Sequence, residues 1–153
     1  MAPGERAGLL QSIATTVADY RQGEIAPMTP GHIDRWVRQF AVEEQPIILA
    51  EMDRILKAYY VSRQRAEWFF RGVLTSEKIF GPVPPDSLQH TKFLRIQRKG
   101  GSQNDLLDLA DGILRSQYGL DIDACGATPT TYLYLDDCLY TGNTAFHDLR
   151  EWL

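Results

Sequence analysis

Two adjacent carboxylates followed at short range by hydroxyls and a glycine stand in Asp136-Asp137-Cys138-Leu139-Tyr140-Thr141-Gly142-Asn143-Thr144. An ionised carboxylate only accepts hydrogen bonds, so its natural partners here are sugar hydroxyls or a divalent cation. Thr141-Gly142-Asn143-Thr144 offers backbone N–H groups, two hydroxyls and the positive end of any helix that follows, a set that suits a phosphate. A ribose 5-phosphate satisfies both halves: its ring hydroxyls meet the acids while its phosphate rests in the Thr-Gly-Asn-Thr cradle.

The flanking residues predict the elements that position this loop. Tyr132 to Leu135 are aromatic and branched with no turn-former among them, the pattern of a strand buried on both faces. Ala145–Leu153 reads as a helix, so the acids stand at the carboxyl end of a strand, where open α/β sheets place ligands. Upstream, Phe93-Leu94-Arg95-Ile96 reads as a short strand, Gln97–Gln103 as a loop, and Leu106, Leu107, Leu109, Ala110, Ile113 and Leu114 as one helical face. Strand, loop, helix and second strand make a βαβ unit with parallel strands. Both loops then share one edge of the sheet. Gly100 and Gly101 let the backbone approach a ligand, and Arg98 and Lys99 add positive charge.

The nine residues Asp136–Thr144, with the apolar strand before them, resemble the motif by which type I phosphoribosyltransferases bind 5-phosphoribosyl 1-diphosphate (PRPP). The match is closest to the form in pyrimidine and purine salvage members. The resemblance implies that Asp136 and Asp137 contact the ribose hydroxyls in a catalytic role, and that Tyr140, Thr141, Gly142, Asn143 and Thr144 hold the 5′-phosphate. It further implies that Arg98, Lys99, Gly100, Gly101 and Ser102 receive the diphosphate. Mg2+ would enter through PRPP, with no direct protein ligand.

The chain departs from that pattern in two places. Members of the family usually carry a further strand and a long closing loop between the two ligand loops. Here Leu120–Thr130 alone precede the motif strand; Leu120-Asp121-Ile122-Asp123 reads as a short strand at most, and Ala124–Pro129 is too brief for a lid. The family's later strands do not follow, and the apolar Trp152-Leu153 end reads as interrupted. The expected architecture is therefore α/β: a partial parallel sheet of phosphoribosyltransferase type preceded by an N-terminal α-helical region. The expected division is a helical region at 1–80, a Pro-rich linker at 81–87 and an incomplete phosphoribosyltransferase-like segment at 88–153. A further domain or a partner chain would complete the sheet.

The helical region is legible from its periodicity. Leu9, Leu10, Ile13, Val17 and Tyr20 predict a helix from about Gly4 to Arg21. Thr29 is an N-cap with Pro30 at the first helical position, followed by Ile33, Trp36, Val37 and Phe40. Glu43-Glu44-Gln45-Pro46 starts another helix, carried by Ile48, Met52, Ile55 and Tyr59; whether it breaks near Ser62 or runs on to Phe70 is left open. The Phe80–Ser87 segment, with three prolines, reads as neither helix nor central strand.

Composition narrows the function classes. The 153 residues are 44% hydrophobic and 24% charged, the profile of a water-soluble globular chain, with a formal net charge of −4 that argues against a nucleic-acid partner. Arg54, Lys57, Arg63, Arg65 and Arg71 alternate with aromatics as in nucleic-acid binders, but the interleaved Glu51, Asp53 and Glu67 favour a solvated charged helix face with a buried aromatic face behind it. Cys125 and Cys138 lack metal-ligand spacing and read as free buried thiols in a cytoplasmic protein. His32, His90 and His147 are far apart and read as cap, surface or core residues. No apolar run reaches membrane-spanning length.

Other functions fit parts of the same pattern. A non-catalytic PRPP or nucleotide sensor, or an effector module of a bacterial conflict system, would use the same loop. Tyr134-Leu135-Asp136-Asp137 also fits the Tyr-x-Asp-Asp signature of reverse transcriptases, which requires a hairpin strand directly after the acids and a third acid upstream. As a mere N-cap and turn, Asp136–Thr144 would leave two adjacent acids at a buried strand end without a reason.

Overall fold

A computed structural model describes residues 1–98, 101–138 and 141–153. The chain divides into two compact units, Met1–Ala66 and Glu67–Leu153.

The first unit is helical: α1 (Pro3–Thr16), α2 (Pro30–Val37) and α3 (Gln45–Tyr59). Each has a proline in its first turn, where the missing N–H would have had no intrahelical partner. Thr29 caps α2 as its spacing predicts, its hydroxyl accepting from the His32 N–H at 3.2 Å. Leu10, Ile13 and Ala14 of α1 meet Ile33 and Val37 of α2 and Leu49 of α3 in one core. Arg6 ties α1 to Asp34 of α2 at 2.7 Å. That bond, with a second from Arg38, holds the Asp34 carboxyl below the usual range. The chain leaves helix at Tyr60, and α4 (Arg63–Leu74) starts afresh.

The second unit takes in most of α4, then α5 (Glu77–Phe80), α6 (Pro84–Gln89), β1 (Thr91–Leu94), α7 (Ser102–Tyr118), β2 (Thr131–Tyr134) and α8 (Asn143–Trp152). β1 and β2 pair in parallel, from Thr91 opposite Thr131 to Leu94 opposite Tyr134, as the βαβ reading requires. Phe70, Leu74, Phe80, Leu88, Phe93, Leu107, Ala110, Ile113, Leu114, Ile122 and Cys125 form the core beneath them. The mixed architecture is the expected one: a small parallel sheet with helices at the N-terminus.

Five local expectations are corrected. Pro84 to Ser87 do form helix, because Pro84 and Pro85 occupy the first turn of α6, where proline is tolerated. β2 is not buried on both faces: Thr131 and Tyr132 are exposed, Tyr132 by 52%, and among the described residues β1 is the strand's one neighbour. Leu120–Asp123 make no strand, since Ile122–Gly126 turn. Asp111 accepts from the Ile122 N–H at 2.9 Å, and Arg115 bonds both Asp111 and Asp121. The aromatic face of α4 is mostly outside, with Trp68 76% and Phe69 58% exposed while Phe70 is buried. Cys125 is buried as expected, which pushes its thiol up, but Cys138 is exposed.

One glycine fixes how the turn meets the sheet. Gly126 has φ +69°, and a Cβ there would stand 2.6 Å from the Lys92 Cα of β1. Its N–H donates to the Gln89 carbonyl at 2.8 Å. The segment between α7 and β2 is therefore pinned to the start of β1.

Candidate functional site

Parallel pairing in register brings the carboxyl ends of β1 and β2 side by side, so the chains leaving Leu94 and Tyr134 run out at the same sheet edge. Each then enters a helix. Gly101 is the N-cap of α7, and Gly142, at φ 72°, is the N-cap of α8. Neither glycine carries a capping side chain; in α7 the first-turn Gln103 N–H donates to Gln97 Oε1 at 3.0 Å, and in α8 the Asn143 N–H makes only a long contact to Thr141 Oγ1 at 3.4 Å.

Asp136 is half-buried and Asp137 exposed. Asp136 Oδ1 accepts from the Asp137 N–H at 3.0 Å and from Gln97 Nε2 at 3.3 Å. Burial pushes the Asp136 carboxyl above its ordinary value, and the Asp137 and Asp148 carboxylates add to the rise, while the Asp137 N–H opposes it. Asp148, on α8, is buried and accepts from the Tyr134 hydroxyl at 2.9 Å, which ties α8 to the strand.

Asp136, Cys138, Thr141, Gly142, Asn143, Thr144 and Ala145 line one cavity of about 110 Å³. This is well below the roughly 300 Å³ at which pockets begin to enclose whole drug-sized ligands, and it has room for a phosphate-sized group. Thr141 Oγ1 accepts from the Asn143 N–H at 3.4 Å, a long contact that a better acceptor would displace. A larger cavity of about 380 Å³ lies in the helical unit, between Ile13, Trp36, Met52, Leu56 and others, but its walls are aliphatic and aromatic. The carboxylate, hydroxyl and amide groups are gathered around the smaller one.

On the other loop, Ser102 opens α7 and Gly101 precedes it. Arg98 is exposed and pairs with Glu151 of α8. Lys99, Gly100 and Tyr140 lie outside the described residues. The two loops are thus neighbours, and side chains already cross between them.

The described residues after Asp137 do not continue β2: α8 starts at Asn143, and its N-cap Gly142 shares a cavity with Asp136. Among the described residues no group of three His, Cys, Asp or Glu is placed to hold a metal, so the polymerase reading lacks its metal site.

A model of the PRTase-CE family matches residues 33–153. The chain belongs to that family. PRTase-CE is a phosphoribosyltransferase-type family, in keeping with the motif at Asp136–Thr144. The match begins inside α2, so it covers much of the helical unit as well as the βαβ unit. Comparison with curated proteins and with solved structures returns no match. No helix among the described residues is long and apolar enough to cross a membrane.

Two residues central to this geometry were missed in the sequence: Gln97 and Gln103. Gln103 is only 1% exposed, with its amide between the two loops. The one available signal was a polar residue at a first-turn position, facing the same way as the apolar Leu106, Leu107 and Ala110 that follow.

Proposed function

We propose that this PRTase-CE protein binds PRPP, or a related ribose 5-phosphate ligand, at the edge where β1 and β2 end. The reading is carried by one observation: an acid at the end of β2 and the Thr-Gly-Asn-Thr turn before α8 line the same phosphate-sized cavity. The 5′-phosphate takes the N–H groups and hydroxyls of Thr141–Thr144, and the ribose hydroxyls donate to Asp136 and Asp137. Arg98, Lys99 and the Gly100–Ser102 backbone receive the diphosphate.

Mg2+ fits as an ion carried on the ligand's phosphate oxygens and water, because the described residues offer it no cage of their own. It would offset the charge of the departing diphosphate. If transfer occurs, Asp136 and Asp137 stabilise the positive charge that develops at the anomeric carbon, and the acceptor attacks as diphosphate leaves.

A sensor without catalysis is the second reading, and the segment between α7 and β2 favours it. That segment is a turn pinned by Arg115, Asp111 and Gly126 and has no length to spare for a cover that excludes water. Calorimetry with Mg-PRPP, paired with an assay for released diphosphate, separates the two. Binding with release supports a transferase, binding without release supports the sensor, and absence of binding removes both.

A further inference from the structure

Gln103 makes four hydrogen bonds from a buried position. Its Oε1 accepts from the N–H groups of Ile96 and Gln97, both at 2.8 Å, and its Nε2 donates to the Leu135 carbonyl at 3.1 Å. Its own N–H donates to Gln97 Oε1 at 3.0 Å, and Gln97 Nε2 reaches Asp136 Oδ1 at 3.3 Å. An amide with its oxygen on two N–H donors and its nitrogen on a carbonyl has one orientation only. The backbone leaving β1 and the backbone leaving β2 are therefore held to each other through a single side chain, just past the last paired residues Leu94 and Tyr134.

The ladder itself does not reach this far. Beyond Leu94 and Tyr134 it gives way to two loops, each followed by a helix with its own glycine N-cap, and the Gln103 amide is what joins their backbones. Leu135 precedes Asp136, and Gln97 precedes Arg98. A bond to each of those backbones fixes the distance between the acid and the basic loop.

We infer that Gln103, with Gln97 as its extension onto Asp136, is the positioning residue that sets the spacing between the phosphate loop and the diphosphate loop. This rests on the ribose-phosphate reading above. The consequence is specific to ligands that span both loops. Ribose 5-phosphate touches one loop and diphosphate the other, so neither depends on the spacing. PRPP joins the two groups covalently, and a spanning ligand gains only when both sites are held at the separation it presents.

The test measures the affinities of Mg-PRPP, ribose 5-phosphate and diphosphate for the native chain, Gln103→Leu and Gln103→Glu. Gln103→Glu keeps the side chain's shape but loses the donor to the Leu135 carbonyl, so it cuts the link between the two backbones and serves if Gln103→Leu does not fold. The expected result is a loss of about tenfold or more in PRPP affinity, with each half-ligand changed by less than about twofold. Equal loss for all three ligands would assign the glutamines a structural role alone, and unchanged PRPP affinity in folded variants would remove the brace; either result overturns the inference. If the native chain binds PRPP and the half-ligands not at all, the bridging argument also falls while the ligand assignment stands. If it binds none of the three, the ribose-phosphate reading fails and takes the inference with it.

Discussion

Gln97 Nε2 stands 3.3 Å from Asp136 Oδ1, so a side chain from the loop after β1 touches the acid at the end of β2. Parallel strands bring two loops to one edge, but only contacts past the last ladder bond make them a single site. Here those contacts are polar and part-buried, and one of them ends on Asp136, the first of the two adjacent acids.

Ionising Asp136 costs the fold stability. Its folded carboxyl is raised, so the proton is held more tightly folded than unfolded, and the resulting stability is present in acid and lost as pH rises through the folded value. Asp136→Asn should raise Tm at pH 7 by on the order of a few degrees and lose that gain near pH 3. Thermal melts at the two pH values check it; a lower Tm at pH 7 would contradict it.

The Tyr134 phenol should titrate above an ordinary tyrosine. Burial, then the hydrogen bond to Asp148, pushes the Tyr134 phenol up to about 12, so the contact holds at neutral pH and is lost as pH rises from 10 through about 12. In an ultraviolet titration, Tyr134→Phe should remove a component with that midpoint. The variant also leaves the buried Asp148 short of a donor and should cost about 1–3 kcal/mol by denaturant unfolding.

Gly126 tolerates no side chain. At φ +69°, and with a Cβ that would meet the Lys92 backbone at 2.6 Å, Gly126→Ala should destabilise the chain by about 2 kcal/mol or more. Lys92→Ala should not rescue it, because the clash is with backbone. Denaturant midpoints of the single and double variants decide the matter.

Arg98 is held by Glu151 across the site, in a pair whose side chains are 65% and 47% exposed. Such pairs contribute little to stability, so Glu151→Gln should shift unfolding by less than about 1 kcal/mol. By freeing the guanidinium it should tighten diphosphate binding several-fold at low salt, an advantage that fades as ionic strength rises. Calorimetry at two salt concentrations reads this out.

The sequence carried the site's order but not its surroundings. Thr29-Pro30 set the start of α2 through local chemistry, and the alternation from Phe93 through the helix to Tyr132 gave the parallel pair, because capping and periodicity act over a few residues. Burial depends on neighbours that a strand cannot declare, so Tyr132 reads as core and lies exposed. The prolines at 84 and 85 mislead for a related reason: their effect depends on whether they fall in the first turn or later. Gln103 was invisible because glutamine is ordinary on a helix surface, and only the fold shows its amide placed between two backbones.

The central claim is that the paired acids grip sugar hydroxyls beside a bound phosphate. Calorimetry of ribose 5-phosphate against 2-deoxyribose 5-phosphate, on the native chain and on Asp136→Asn/Asp137→Asn, tests it most directly. The account predicts that the native chain favours the ribose by about tenfold or more, and that the double variant loses the preference while still binding phosphate. Equal affinity of the native chain for both sugars, or a preference that survives in the double variant, would contradict it.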